Sequence, residues 1–147
     1  MTMSDLIACA GSWTGTYLLR LNPDDPGVTS ETTVHVAPVL KERFVRLDQT
    51  WVWEGQQQEG TILVAHDPQA STVEMHWADT WHNGHAIMVL RGGPDLDATG
   101  SYPAPSGPDW GWRIRIGATP DRLSIEMWNI TPDGLQVPAV DADLSPS

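Results

Sequence analysis

The chain has little cysteine and few cations, and each shortage excludes a class of protein. A single cysteine, Cys9, excludes an internal disulfide and any metal site built from several thiolates. Only 8 Lys and Arg stand against 19 Asp and Glu, and the net charge of -11 argues against nucleic acid and membrane partners, which need clustered cations. No apolar run approaches the ~20 residues that span a bilayer. The 147 residues therefore suit one globular domain.

The beginning of the chain has no targeting pattern. Residues Met1 to Ser12 lack a basic segment, and their apolar stretch is too short for a signal peptide. A cytoplasmic location is the expectation that follows.

Tryptophan is the abundant aromatic residue, with 8 Trp against one Phe and two Tyr. Each Trp combines a large apolar body with one N–H donor. So many in one small domain indicate either a core packed from a few large rings or a cavity lined by them.

Turn signals rich in Gly, Pro, Asn and Asp recur along the chain and separate short segments rich in β-branched and aromatic residues. We predict ten strands, at Gly15–Leu21, Glu31–Ala37, Phe44–Trp53, Gln57–His66, Thr72–Ala78, His85–Arg91, Asp97–Ser101, Trp110–Gly117, Arg122–Ile130 and Leu135–Val140.

The segment Trp110–Ile116 alternates between apolar and other residues, which is the period of a strand with two different faces. No stretch shows a convincing helical period, although Ser4–Ala10 could form one short turn. Because most connections are short, the pattern predicts an all-β protein, a single antiparallel up-and-down barrel of about ten strands.

Three regions are expected along the chain: an N-terminal lead-in (1–10), the barrel (11–140) and an acidic, polar, frayed tail (141–147). Pro138 lies inside the last predicted strand, where it cannot donate to a ladder. Either that strand is short or it lies at an imperfect seam. A seam of that kind could pair with a second subunit, so a homodimer is possible.

The segment Gly11-Ser-Trp13-Thr-Gly15 resembles the Gly-x-Trp signature of lipocalin-like (calycin) barrels. It also resembles the start of nitrobindin-type barrels, with Tyr17 in place of the last glycine. The segments Glu54–Gly60, Ala65–Pro68, Glu74–Asp79, Trp112–Ile116 and Glu126–Trp128, with the turn Pro132–Gly134, resemble a family of bacterial calycin-like domains of unknown function. The resemblance implies a closed barrel with an internal cavity and leaves the activity open. The nitrobindin likeness implies a haem held by a wall histidine, without indicating which one.

Three histidines, His76, His82 and His85, surround one predicted hairpin. Their spacing matches no metal signature, so we predict no metal site. We expect His82 to be solvated and His76 or His85 to be hydrogen-bonded within the barrel. Glu74 and His76 share a strand face, and a carboxylate beside a histidine can perform acid–base work.

Arg113 and Glu126 form a second candidate pair. If the intervening turn is centred on Thr119–Pro120, these two residues lie opposite each other. Such a pair is either a weak surface ion pair or a polar group that orients a ligand in the lumen. Trp128 lies on the face of Glu126 and would add an aromatic wall.

The expected function is binding of an apolar or aromatic small molecule in the barrel lumen. The candidate ligand-binding residues are Glu74, His76, His85, Arg113, Glu126 and Trp128. One alternative is an enzyme (an isomerase, cyclase or hydrolase) that uses Glu74 with His76 or Arg113 with Glu126. The other alternative is haem binding, and no other cofactor is expected.

Overall fold

A computed structural model describes the whole chain, Met1–Ser147, as a closed antiparallel barrel of ten strands. Each strand pairs with its neighbours in sequence, and the last strand pairs with the first, so the predicted up-and-down barrel is confirmed. The elements are α1 (Met3–Ile7), β1 (Gly11–Leu19), β2 (Val28–Val39), β3 (Phe44–Trp53), β4 (Gln56–Asp67), β5 (Thr72–Asp79), β6 (Met88–Gly93), β7 (Asp97–Tyr102), β8 (Trp110–Thr119), β9 (Arg122–Ile130) and β10 (Gln136–Pro146).

Alternation along each strand decides which side chains enter the barrel. In β5, Val73, Met75 and Trp77 are buried in the interior, whereas Glu74 and His76 point to the outside. The other strands repeat this period of two, and the inward side chains merge into one apolar core. The predicted bounds of β3 and β9 match the structure.

The C-terminal residues belong to the barrel, so the expected tail from residue 141 is wrong. β10 continues to Pro146 and pairs with β1 from Trp13 opposite Pro146 to Leu19 opposite Val140. Ala142 and Leu144 are buried, and Asp141 and Asp143, which alternate with them, face outward. The acidic character is therefore one face of an alternating strand, and the pairing of this strand with β1 closes the barrel.

Pro138 lies where β10 is irregular. The pairing of β10 with β9 shifts register between Pro138 and Val140, which is a β-bulge. Beyond this point β1 leaves the ladder, and only the backbone N–H of Arg20 still donates to the carbonyl of Ala139, at 2.9 Å. The sequence left open whether the last strand is short or lies at an imperfect seam, and the structure shows the imperfect seam.

One end of the barrel is sealed by the residues before β1. The short predicted turn is present as α1, which begins one residue earlier than expected and buries Leu6 completely. Trp13 is buried behind it and donates its indole N–H to the carbonyl of Cys9 at 2.8 Å, so its ring plugs this end of the barrel. The lead-in is thus part of the core. Its helix is too short to cross a membrane.

The longer connections meet at the opposite end, which we call the mouth. They join β1 to β2 (20–27), β5 to β6 (80–87), β7 to β8 (103–109) and β9 to β10 (131–135). The connections at the sealed end are tight turns of two to four residues. Loops of this kind on a rigid frame are where binding groups concentrate.

Candidate functional site

A cavity of about 540 Å³ opens at the mouth of the barrel. Its walls come from inward side chains at the ends of the strands and from the loops around them. Most of its surface is apolar and aromatic, with Trp77, Trp81, Met88, Tyr102, Trp112 and Pro138 among the lining residues.

The cavity ends where the interior becomes solid. Met75, Leu90, Ile114 and Ile125 are completely buried in the core that fills the barrel. Nearer the mouth the barrel holds indole rings instead of aliphatic chains. Trp77 stacks on Trp112 with ring centroids 5.1 Å apart and planes inclined by 15°. The cavity lies at this end, beside the stacked rings.

A buried carboxylate stands at the edge of the cavity. Asp79 is the last residue of β5, and its side chain is only 2% exposed. One of its oxygens accepts hydrogen bonds from the backbone N–H groups of Trp81 and His82, and the other lies 2.6 Å from Nδ1 of His82. The carboxylate therefore holds the start of the β5–β6 loop and orients the imidazole. When Asp79 carries its charge, Nδ1 is the proton-bearing nitrogen of that ring.

Four indole rings surround the imidazole of His82. Its ring centroid lies 4.6 Å from that of Trp81, 5.5 Å from Trp77, 5.6 Å from Trp112 and 5.9 Å from Trp51. We call this group the indole cage. The His82 side chain is only 10% exposed, and it lines the cavity. Such enclosure restricts the imidazole to one orientation.

Several polar atoms in and beside the indole cage have no hydrogen-bond partner within the chain. They are Nε2 of His82, the indole nitrogens of Trp51 and Trp112, and Oδ1 of Asn83. A buried polar atom without a partner costs about 1–3 kcal/mol, so one such atom in a native structure calls for an explanation. Here three of the four residues concerned, His82, Asn83 and Trp112, line the cavity, so the unpartnered atoms lie in or just behind its wall.

The ring of Tyr17 packs against the far side of the cage. It stacks on Trp51 with centroids 4.8 Å apart and planes inclined by 11°. Burial raises the pKa of the Tyr17 phenol, and the negative charge of Asp79 adds to the shift. The phenol therefore stays neutral.

Comparison with known proteins fits this architecture. The sequence profile of the family described as "Protein of unknown function (DUF1579)" matches residues 4–145. The chain belongs to this family. Among curated proteins nothing matches it. Among solved structures, the crystal structure of Rv2717c from M. tuberculosis is similar, with 17% identity, a TM-score of 0.65 and coverage of 100% of this chain and 99% of the other. At that identity the likeness shows the barrel fold alone.

None of the six residues proposed from the sequence lines the cavity of this DUF1579 member. Glu74 and His76 lie on the outer face of β5, where Glu74 is 2.8 Å from Arg91 and 3.2 Å from Nε2 of His76. The hydrogen bond from His76, with help from the charge of Arg91, lowers the pKa of Glu74. His85 is exposed in the β5–β6 loop, because β6 begins only at Met88. A ligand-binding role for these residues stays a prediction, and it would have to operate on the outer surface.

The expected pairing of Arg113 with Glu126 is wrong by two residues. The turn between β8 and β9 is centred on Pro120–Asp121, so Arg113 lies opposite Trp128 and Arg115 lies opposite Glu126. The ion pair on Glu126 is made by Arg115, at 2.9 Å.

Arg113 and Trp128 lie on the outer face of the same two strands. Arg113 grips Asp97 with two nitrogens, at 2.6 and 2.7 Å. The guanidinium carbons of Arg113 and Arg115 lie 4.5 and 5.1 Å from the centre of the Trp128 ring. This outer-face cluster strengthens the sheet by a cation–π stack rather than walling the lumen.

Sequence reasoning missed the central residues of the site. His82 was expected in solvent, and it is the most enclosed of the three histidines near this hairpin. A signal was present: Val73, Met75 and Trp77 share one face, and one further step of two residues reaches Asp79. An aspartate on the apolar face at a strand end needs a partner nearby. The three histidines do not converge, and no group of side chains in the chain is arranged to hold a metal ion.

Proposed function

We propose that this protein binds a small molecule with a flat, partly apolar body in the cavity at the mouth of the barrel. The observation that carries the proposal is a cavity with a mostly apolar and aromatic lining, in which three of the lining residues, His82, Asn83 and Trp112, also have a buried polar atom without a partner. Ligand sites typically combine an apolar lining with a few placed polar groups, which fix the orientation of the ligand.

The size and shape of the cavity support a ligand of modest size. Its volume of about 540 Å³ lies within the range of small-molecule sites, roughly 300–1,000 Å³. The stacked pair of Trp77 and Trp112 presents flat apolar surface, and flat rings prefer offset stacking on such surfaces. An aromatic or polycyclic body fits this lining better than a flexible polar chain.

We also propose a calycin-like relationship, and it favours the same function. The Gly-x-Trp element at the start of β1 carries the resemblance, and the resemblance implies a closed barrel with an internal cavity, like the barrel described above. In a barrel of this size the side chains need not fill the whole lumen.

The proposal is tested by titration with phenylnaphthylamine, a flat neutral fluorophore, monitored by its emission and by quenching of Trp fluorescence. We expect saturable binding and a rise in melting temperature through linkage. Ala86 lines the cavity, so Ala86→Phe should fill it and weaken binding by about tenfold, equivalent to about 1.4 kcal/mol. Ala70→Phe, in the tight β4–β5 turn at the sealed end, is the matched control.

Two outcomes would overturn this proposal. One is the absence of saturable binding and thermal shift for phenylnaphthylamine and for a panel of flat probes. The other is binding that Ala86→Phe leaves unchanged, because the probe would then lie elsewhere on the molecule.

A second candidate function is enzymatic, and the Asp79–His82 pair favours it. A carboxylate that orients an imidazole is a common arrangement for a general base. Nε2 is covered by the indole cage in this structure, so a substrate reaches it only after a ring moves. For that reason binding ranks first. Substrate turnover that His82→Gln abolishes, with the melting temperature maintained, would establish the enzyme instead.

Haem binding is the third candidate, and the wall residues do not fit it. An axial histidine must offer a ring nitrogen to the iron. His82 is the histidine of the cavity, and its Nε2 lies behind indole rings while its Nδ1 faces Asp79. A Soret band that appears on haem addition, and disappears in His82→Ala, would contradict this assessment.

We also propose a cytoplasmic location, because Cys9 is a free, buried thiol that a reducing compartment suits. Fractionation of cells that produce the protein checks it. A homodimer remains a prediction, for which sedimentation equilibrium is the measurement.

A further inference from the structure

We propose that the ligand is an anion, and that Arg20 at the mouth of the cavity pairs with its acidic group. This inference rests on the proposed function and names the chemical class of the ligand. The class is a flat apolar body that carries one carboxylate, sulfonate or similar charge. Arg20 lines the cavity and takes part in none of the ion pairs of the structure.

The distribution of charge around the cavity is the first argument. The chain has 19 acidic and 8 basic residues, so a lining drawn at random from its charged groups would be mostly acidic. No aspartate or glutamate lines the cavity, and Arg20 is the one Arg or Lys that does. The cavity lining therefore differs in charge from the rest of the molecule, which favours a ligand of negative charge.

The availability of Arg20 is the second argument. Five of the other basic residues are paired with carboxylates: Arg46 with Asp48, Arg91 with Glu74, Arg113 with Asp97, Arg115 with Glu126 and Arg122 with Asp143. Arg20 is without a carboxylate partner in a protein that is rich in carboxylates. Its charge-assisted donors are thus available to a ligand.

Backbone anchoring is the third argument. Arg20 follows directly on β1, and its backbone N–H bonds the carbonyl of Ala139 at the bulge of β10. The residue is therefore fixed on the rim, with Leu21 and Asn22 beside it in the lining. An acidic group at this rim leaves the apolar body directed toward Trp112 and the indole cage.

Several carboxylates oppose the attraction, and none of them belongs to the lining: Asp79, Asp141, and Asp24, Asp25, Asp109 and Asp133 in the mouth loops. Asp79 lies behind His82, and three N–H groups bind its oxygens. Asp141 is on the outer side of β10, where it senses the charge of Arg20 without forming an ion pair with it. None of these carboxylates therefore occupies the place of the ligand's acidic group.

The experiment compares two probes that share one skeleton. Anilinonaphthalene sulfonate carries a charge that phenylnaphthylamine lacks. We expect the native protein to bind the sulfonate more tightly, by about tenfold at low salt, and this preference should shrink as salt is added. Arg20→Gln should remove the preference and leave the affinity for the neutral probe within about twofold, whereas Arg20→Lys should keep part of it.

The matched control is Arg43→Gln. Arg43 is exposed in the β2–β3 turn at the sealed end, and it too has no carboxylate partner. This substitution removes the same charge from the molecule, so it reports the long-range contribution of net charge. We expect it to leave the affinity for each probe within about twofold.

The outcomes separate this inference from the proposed function. If the neutral probe binds in the cavity and the sulfonate has no advantage, or if Arg20→Gln and Arg43→Gln change its affinity equally, the anion proposal is wrong and cavity binding stands. If neither probe binds saturably, both proposals are wrong. Circular dichroism of each variant confirms that the barrel is intact.

Discussion

Removing the carboxylate of Asp79 tests the physical account of the site most directly. Asp79→Ala leaves three N–H groups without an acceptor: the backbone N–H groups of Trp81 and His82, and Nδ1 of the imidazole. Hydrogen bonds to a charged acceptor contribute about 1.5–3 kcal/mol each, and deletion also relieves the desolvation of the carboxylate. We therefore expect a net loss of about 3–5 kcal/mol in the free energy of unfolding. Domains of this size have about 5–15 kcal/mol in total.

Equilibrium unfolding in urea, followed by Trp fluorescence and by circular dichroism, measures this loss. Asp79→Asn retains an oxygen for the two backbone donors, and its amide can donate to Nδ1 once the imidazole changes tautomer. That variant should lose only about 1 kcal/mol, a typical single hydrogen bond. Both variants should also weaken binding of phenylnaphthylamine, because the orientation of His82 in the indole cage depends on the carboxylate.

A control on the outer face distinguishes this effect from the loss of any strand aspartate. Asp48 lies 3.0 Å from Arg46, and both side chains are nearly half exposed. Asp48→Ala should lose less than about 1 kcal/mol, as exposed pairs do. Equal losses in Asp79→Ala and Asp48→Ala would refute the claim that a buried carboxylate organises the mouth.

Three further predictions concern the barrel itself. Gly15→Ala should lower the free energy of unfolding by about 3 kcal/mol or more, because the added methyl group would lie 1.9 Å from a backbone carbonyl oxygen of β10. The control is Gly84→Ala, whose methyl group meets open space, so that only the positive φ lowers the free energy of unfolding, by about 1 kcal/mol. Urea titration measures both values. Burial raises the pKa of the Cys9 thiol, so a thiol reagent at neutral pH should react only after denaturation; fast reaction of the folded protein would contradict this. Burial and neighbouring carboxylates raise the pKa of Asp141, so its ionisation destabilises the fold at pH 7 and protonation restores stability as the pH falls. Asp141→Asn should therefore raise the free energy of unfolding by about a few tenths of a kcal/mol at pH 7 and leave it unchanged at pH 3. The expected gain is small because solvent screens the charge of this exposed side chain. A lower free energy of unfolding at pH 7 would contradict this prediction.

Much of the fold could be read from the chain because its signals are local. Alternation of period two between turn residues predicted ten antiparallel strands, and short connections predicted a meander. Errors arose where a signal needed a partner strand. The end of the chain, for example, looked like a tail because Asp141 and Asp143 alternate there with only two apolar residues, Ala142 and Leu144.

Register was a second error of this kind. A shift of the β8–β9 turn centre from Thr119–Pro120 to Pro120–Asp121 moves each partner by two residues and keeps every side chain on its own face. Both registers give the same alternation of inward and outward side chains, so the sequence pattern does not distinguish them. Only the observed pairing shows that Arg115, not Arg113, is opposite Glu126.

The sequence by itself determined the strand count, the two faces of each strand and the abundance of indole rings. Tertiary structure alone decided which face became the interior and where the rings gathered. An isolated strand such as β5 has two faces, and closure turns the apolar one inward because the enclosed space excludes water. The loop after it then brings His82 back over Asp79, beneath indoles from two other strands, β3 and β8. No local pattern encodes such contacts between distant segments, so the site became visible only in the folded chain.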